Sequence, residues 1–309
     1  MMLLWCTAAL AGEVSGWVGG AVGAQAGWQG SAQTTLQAEL DASFTTEMLY
    51  GRLDLDVWVD PFIPGMSQAP PEAAYLQIGG DGPRAKIGVM SPNMSLESWD
   101  FWDNYLPTFS TNFNGATLGR IAGADLGTTL GNGVEVYVFG GDDLDWNMGY
   151  EGFKPNGYAT PAWVVGAGVD TEQDAFSTWS GVAAYPTESF YAAYLALEVY
   201  PHELVWVTLD SSAGLSAGAP FASGQLLVSV MPEATVVPVL RGEYLFDPDG
   251  EALGGAEAGL PDGAISLGAH AWPLDWLNVQ AEAKASFFDG EVSPGVFVSV
   301  AAVRAEPEE

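Results

Sequence analysis

The stretch WLNVQAEAKASFFDG, Trp276–Gly290, decides the fold, because polar and apolar residues alternate along it without interruption. The apolar positions are Leu277, Val279, Ala281, Ala283, Ala285 and Phe287, and the polar positions are Asn278, Gln280, Glu282, Lys284 and Ser286. Successive side chains of a β-strand point to opposite faces, so this pattern predicts a strand with one apolar and one wet face. The fold depends on whether the apolar face contacts a protein core or lipid.

The same alternation recurs along the chain, for example in TLQAELDASF (35–44) and GRLDLDVWVD (51–60), and no segment has a dependable helical period. It predicts an all-β chain of about sixteen antiparallel strands, with about fourteen or eighteen as alternatives. The predicted strands lie near residues 14–27, 32–45, 48–60, 73–80, 84–91, 115–127, 133–140, 160–170, 176–186, 189–200, 204–211, 222–231, 235–246, 263–272, 276–287 and 293–304.

The connections between the predicted strands are sorted by length. Those after even-numbered strands are short, such as GDGP (80–83) and WPLD (272–275). After odd-numbered strands three are short and five are long, the long ones at 61–72, 92–114, 140–158, 212–222 and 247–263. A transmembrane barrel has this layout, with short periplasmic turns and long extracellular loops, whereas a soluble sandwich has no reason to sort its loops.

Two properties of the predicted strands indicate that their apolar face contacts lipid. That face is built from Ala, Val, Leu and Gly, which suit fluid lipid tails better than a dense core, and aromatic residues gather toward strand ends. These aromatic residues are Trp17, Trp28, Tyr191, Tyr200, Trp272, Trp276, Phe287 and Phe288. The wet face carries more charge than a small barrel could bury without water, so we expect a closed transmembrane β-barrel with a water-filled lumen.

The charge balance excludes one class of partner. The chain has 39 Asp and Glu against 8 Lys and Arg, a formal net charge of -31. A field of this sign repels phosphate backbones and attracts cations. Nucleic acid is therefore excluded as a partner, and membrane lipid, small ions and polar solutes are expected instead.

The N-terminal segment MMLLWCTAALA, residues 1–11, has a short apolar region that ends in small residues. It is expected to be an export signal that is removed before Gly12, so that residues 12–309 form one barrel domain. A buried first strand is the alternative. Cys6 is the only cysteine and lies in this segment, so the mature chain would hold no disulfide.

The segment Ala85–Gly127 consists of a strand that closes with Gly-x-x-x-Pro, a long aromatic and acidic loop, and a returning strand. With the barrel pattern, it resembles the outer-membrane porins of Gram-negative bacteria, more closely the small porin-like β-barrel families. The resemblance covers nearly the whole mature chain and implies a channel in the cell outer membrane, either a monomer or a homotrimer. In sixteen-stranded porins a long loop after the fifth strand folds into the barrel and narrows it, so the resemblance implies that residues 92–114 fold inward.

Loop 92–114 holds carboxylates among aromatic rings. The predicted pore constriction consists of Glu97, Trp99, Asp100, Trp102, Asp103 and Tyr105. Carboxylates across a narrow pore lower the energy of a passing cation and raise that of an anion, so the constriction would favour cations. The alternative is an external loop packed on the barrel rim.

Basic residues are rare, and five of them fall on the wet face: Arg52, Arg84, Lys86, Arg241 and Lys284. Opposite an acidic loop, these lumen basic residues would create a transverse field that orients polar solutes. Ion pairing with neighbouring lumen carboxylates is an equal alternative.

No cofactor, metal site or enzymatic activity is predicted. The acidic loop segments 143–151 and 247–251 offer oxygen ligands that calcium could use, but neither has the helix-flanked pattern of a dedicated site. His202 lies in a predicted turn and His270 on a wet strand face, without a nucleophile motif or paired metal ligands, so both are expected to be ordinary polar residues.

The predicted function is that of a passive outer-membrane porin, a water-filled channel for cations or small polar solutes whose width is set by loop 92–114. The alternative is a plugged structural or adhesive barrel that binds partners through its long loops, and conductance distinguishes the two. A secreted all-β binding module is a third hypothesis, and such a module would need no detergent to stay in solution.

Overall fold

The computed structural model describes residues 15–46, 49–59, 67–68, 71–80, 82–92, 104–108, 110, 120–144, 162–187, 189–231, 234–248, 252–253 and 260–304. These residues form strands β1 Ser15–Gln29, β2 Ser31–Thr45, β3 Leu49–Val59, β4 Ser67–Gln68, β5 Pro71–Ile78, β6 Pro83–Met90, β7 Ile121–Thr129, β8 Val134–Asp143, β9 Ala162–Gln173, β10 Phe176–Tyr185, β11 Phe190–His202, β12 Val205–Ser216, β13 Ala219–Val230, β14 Val236–Phe246, β15 Gly263–Leu274, β16 Leu277–Phe288 and β17 Glu291–Arg304. No helix among the described residues is long and apolar enough to span a membrane.

The strands form one closed antiparallel barrel. Strands that follow one another in sequence pair, and the first also pairs with the last, from Gly20 opposite Arg304 to Trp28 opposite Val296. The two-residue β4 and the following β5 both pair with β3, so they are two parts of one barrel strand. The barrel therefore has sixteen strands, which confirms the predicted all-β class, the closure and the strand number.

The two faces of the strands differ in exposure. On β15, Leu267 points outward and is 64% exposed, whereas the adjacent Ser266 points inward and is 0% exposed. On β16, the opening stretch, Glu282 is buried inside the barrel and Ala281 is exposed outside. Exposed apolar residues continue around the outer surface, among them Val22, Leu40, Ile87, Val138, Val182, Leu240 and Val298. An apolar surface of this extent is suited to lipid, so the apolar face of the opening stretch is the outer, lipid-facing side of a barrel.

The barrel has a turn end and a loop end. At the turn end, the connections are 46–48, 79–82, 130–133, 174–175, 203–204, 231–235 and 275–276. At the loop end, the three longest connections are 91–120, 144–161 and 247–262. The first of these is longer than the predicted loop 92–114, because β7 begins only at Ile121.

One predicted long loop, residues 212–222, is wrong. β12 and β13 run through it and are joined by a turn of two residues, Ala217 and Gly218, with φ of 50° and 94°. Two central residues with positive φ are the mark of a type I′ hairpin. The small residues that suggested a loop belong to strands that pack closely, because a Cβ atom on Gly214 would meet the backbone of Tyr191.

Candidate functional site

The segment 104–108 of connection 91–120 lies inside the barrel. The side-chain amide of Gln280 donates a hydrogen bond to the Asn104 carbonyl, and that of Gln25 donates to the Pro107 carbonyl at 2.5 Å. Both glutamines occupy inward-facing positions, on β16 and β1. The connection begins after β6, the fifth barrel strand, so the segment 104–108 lies against strands that do not neighbour β6.

The far wall holds this segment most firmly at Thr108. Arg241 on β14 donates to the Thr108 carbonyl at 2.7 Å and to its Oγ1 at 2.6 Å. Glu282 on β16 accepts hydrogen bonds from the Thr108 Oγ1 at 2.7 Å and from its backbone N at 3.2 Å. Arg241 also donates to Glu282 at 2.8 Å. We call Thr108, Arg241 and Glu282 the latch. β14 lies halfway round the barrel from β6, so the latch holds the segment on the wall opposite the strand from which its connection starts.

Apolar and aromatic contacts support the latch. Leu106 is buried against Leu227 on β13 and against Val237 and Val239 on β14. The neighbouring Tyr105 meets the His270 ring edge-on, with 6.1 Å between the ring centroids. Burial raises the pKa of the Tyr105 phenol, and the nearby Glu198 and Tyr200 raise it further, so this side chain stays neutral. The segment is therefore docked by packing as well as by hydrogen bonds.

All five predicted lumen basic residues have acidic or aromatic partners. Arg84 is paired with Asp125 and Glu135, and Arg52 with Asp54 at 2.7 Å. Arg241 and Lys284 share Glu243, at 3.0 and 2.9 Å. The Lys86 ammonium lies 5.4 Å from the centroid of the Tyr75 ring. This geometry favours the ion-pairing alternative over a transverse field of unpaired bases, and the field remains a prediction.

Solvent reaches one side of the lumen. The Arg52 side chain on β3 is 46% exposed. Four further inward-facing residues between β2 and β8 are half-buried, namely Glu39, Asp41, Lys86 and Glu135, whereas Asp54 and Asp125 on the same side are buried. Inward-facing serines on the other side have no exposed surface, namely Ser223, Ser229, Ser266 and Ser299. We call the accessible side, from β2 to β8, the open wall, because a solute in the lumen would pass along it.

An apolar cluster lies inside the barrel toward the loop end. Phe190 meets Tyr185 edge-on at 5.5 Å and stacks on Phe221 at 5.3 Å. Further members come from the strands and from connection 247–262: Met90, Ile121, Tyr137, Phe139, Val164, Ala183, Ala192, Tyr194, Ala252, Leu253 and Leu260. Sequence reasoning missed this cluster, although its signal is present, since aromatic residues alternate with small ones on inward-facing positions of β11.

The remaining candidates fall into two groups. Of the predicted constriction, only Tyr105 is described; Glu97, Trp99, Asp100, Trp102 and Asp103 lie outside the described residues. In the two acidic loops, Asp247 accepts hydrogen bonds from the backbone N of Ala252 and Leu253, and Asp143 accepts one from Tyr185, while residues 145–151 and 249–251 are not described.

Both histidines have structural contacts. His202 accepts a hydrogen bond from the backbone N of Leu204 at 3.1 Å, within the turn that joins β11 and β12. His270 is hydrogen-bonded to Asn278 at 2.7 Å and meets Trp272 edge-on at 5.7 Å. Both side chains therefore have partners within the protein, and their role as ordinary polar residues stays a prediction.

Comparison with solved structures places this geometry among outer-membrane barrels. A triple mutant of the Rhodopseudomonas blastica porin superposes with a TM-score of 0.63 at 12% identity, covering 94% of this chain and 100% of the porin. The chain has the porin fold. The outer membrane channel DcaP of Acinetobacter baumannii has the same fold, with a TM-score of 0.64, 12% identity, and coverage of 96% of this chain and 100% of the channel. No protein-family model and no curated protein matches the sequence, so the likeness is one of porin fold.

Proposed function

We propose that this chain forms a passive, water-filled channel in the outer membrane of a Gram-negative bacterium, for cations and small polar solutes. The observation that carries the proposal is the segment 104–108, which lies inside a closed sixteen-stranded barrel and docks on the wall opposite β6. A loop that partly fills a barrel narrows it without sealing it, which limits passage to small solutes. The solved neighbours, one called a porin and one an outer membrane channel, support the proposal.

The mechanism is geometric and electrostatic. The loop sets the width, and solutes pass along the open wall, where carboxylates outnumber bases. Passive conduction needs no bond-making step, so the proposal assigns no catalytic residue. Residues 1–11 are proposed to be the export signal that brings the chain to this membrane, and the mass of the mature protein tests this, with cleavage before Gly12 expected.

Single-channel current in a planar bilayer under a KCl gradient tests the proposal directly. We expect steady ohmic current steps and a reversal potential of the sign that indicates cation preference. A barrel that inserts but carries no current would contradict conduction, and current without cation preference would contradict the electrostatic part alone.

Cation preference is expected to depend on the loop carboxylates. The double variant Asp100→Asn, Asp103→Asn loses two negative charges. Since one charge at 4 Å changes the energy of a passing ion by about 1 kcal/mol in water, the cation-to-anion permeability ratio should fall by at least about fivefold. The reversal potential measures this ratio. The matched control is Asp289→Asn with Glu291→Gln, which removes two exposed charges at the loop-end rim and should leave the ratio unchanged. An equal shift in both double variants would contradict the constriction.

The apolar cluster favours a second candidate function, a plugged structural or adhesive barrel. Leu253 and Leu260 from connection 247–262 are buried against Phe190 and Phe221, so one side of the lumen is filled at the loop end. In this case the wild-type barrel would be silent in the bilayer, and its loops would bind a partner at the outer surface. The conductance measurement therefore separates the two candidates.

A further inference from the structure

Three carboxylates converge on the open wall near the start of the chain. Glu39 and Asp41 are on β2 and Asp54 is on β3, where Asp41 and Asp54 stand directly opposite each other in the strand register. One oxygen atom from each of the three carboxylates lies within 4.8 Å of the other two. Because these positions alternate with outward-facing Leu40, Leu53 and Leu55, the three side chains share the lumen face.

The cluster contains carboxylate oxygens that the protein itself does not satisfy. Asp54 is 2% exposed, and its Oδ1 atom is buried and accepts no hydrogen bond; the same holds for Oδ1 of Asp41. The other oxygen of Asp54, Oδ2, is paired with Arg52 at 2.7 Å. A buried carboxylate oxygen without a donor loses its hydration and gains nothing in return, so a positive ligand, either a shared proton or a metal ion, would stabilise the arrangement.

Charge and spacing together identify the class of ligand. Three carboxylates beside the single Arg52 guanidinium carry a net charge of about -2, which one divalent cation neutralises. Calcium binds oxygen at about 2.4 Å, so oxygens on opposite sides of the ion are about 4.8 Å apart, the limit within which these three lie. The half-buried Glu39 and Asp41 leave room for the water ligands that complete a calcium shell.

We infer that Glu39, Asp41 and Asp54 bind one divalent cation, with calcium preferred over magnesium. Magnesium is disfavoured because it requires near-octahedral geometry at about 2.1 Å and gives up its water reluctantly. The bound ion joins β2 to β3 and removes the local negative charge from the open wall. This inference does not rest on the proposed function, since the site would bind calcium in a silent barrel as well as in a conducting one.

The test is a calcium titration by isothermal calorimetry of the full-length folded protein in detergent, at pH 7 and about 0.1 M KCl, where the ionic strength screens diffuse attraction. We expect one calcium ion bound per chain. Asp54→Asn keeps the shape of the side chain but removes a ligand charge, and it should weaken binding about tenfold or more. The matched control is Glu172→Gln, which removes one exposed carboxylate from β9, away from the cluster, and should leave the affinity unchanged.

Three outcomes would overturn the inference. Wild type without a stoichiometric calcium signal would mean that Asp41 and Asp54 satisfy each other by sharing a proton. Equal weakening in both variants would mean that calcium only screens the charge of the chain. An unchanged affinity in Asp54→Asn would place the ion elsewhere. Folding of Asp54→Asn is judged by its gel mobility before and after heating. If this variant does not fold, Asp41→Asn replaces it, because Asp41 is only half-buried, and the same loss of calcium affinity is expected.

Discussion

Replacing Arg241 with Met is expected to release the segment 104–108 from the far wall and to produce larger, noisier single-channel currents. The variant loses both hydrogen bonds from Arg241 to Thr108 and leaves Glu282 and Glu243 without their shared guanidinium. Removing one partner of a buried ion pair costs about 3–5 kcal/mol. This is enough to lower the ratio of docked to undocked molecules by more than about a hundredfold. Met fills much of the same volume, so the barrel wall itself should survive.

Lys284→Met is the matched control for this variant. It also removes one positive lumen charge that is paired with Glu243, but Lys284 makes no described contact with the segment 104–108. Its current should therefore stay steady, with at most a small change in ion preference. If Arg241→Met and Lys284→Met give the same conductance, the latch does not control the width of the path.

Ile87→Arg is expected to prevent insertion into lipid, whereas Gln77→Arg is not. Ile87 points outward near the middle of β6 and is 65% exposed. An arginine on the lipid face near the bilayer midplane costs about 2–4 kcal/mol, a large part of the stability of a typical domain. Gln77 lies on the adjacent β5 but faces the lumen, opposite Lys86. The repulsion between the new arginine and Lys86 is screened by water and should cost less than about 1 kcal/mol.

The measurement is the folded fraction after refolding into lipid vesicles, read from the gel mobility of unheated samples. We expect Gln77→Arg to match wild type and Ile87→Arg to remain unfolded or to need a thinner bilayer. Equal folding of the two variants would contradict the assignment of the outer face to lipid, because the substituted side chain is the same in both.

The fold could be predicted because it depends on a local property, the alternation of polar and apolar residues, which each strand carries by itself. Even so, local composition is misleading at residues 212–222, where Gly, Ala and Ser are typical of a loop. Those residues are small because β11 and β12 pack closely there, as the contact between Gly214 and Tyr191 shows. Such a contact between strands is not visible in either strand alone.

The candidate site was predictable only in part, for the same reason. Alternation placed Arg52, Arg241 and Lys284 on the inner face, but it could not say which carboxylate each would meet. That depends on the register between strands, which brings Asp41 opposite Asp54. The latch could not be predicted, because Thr108 belongs to a long connection and meets Arg241 and Glu282 more than a hundred residues further along the chain.

The pairing of β1 with β17 has a consequence for how the molecule is made. The two strands stand at opposite ends of the sequence. One edge of β1 therefore has no partner until β17, the last strand, has been synthesised. Bringing such distant segments together costs about 5 kcal/mol of chain entropy, and an unpaired strand edge is not tolerated in hydrocarbon. Pairing the strands one after another from one end of the chain therefore cannot complete the barrel inside the bilayer. The two free edges must therefore stay out of hydrocarbon until they meet, and the final seam is the step at which a newly synthesised chain becomes a membrane protein.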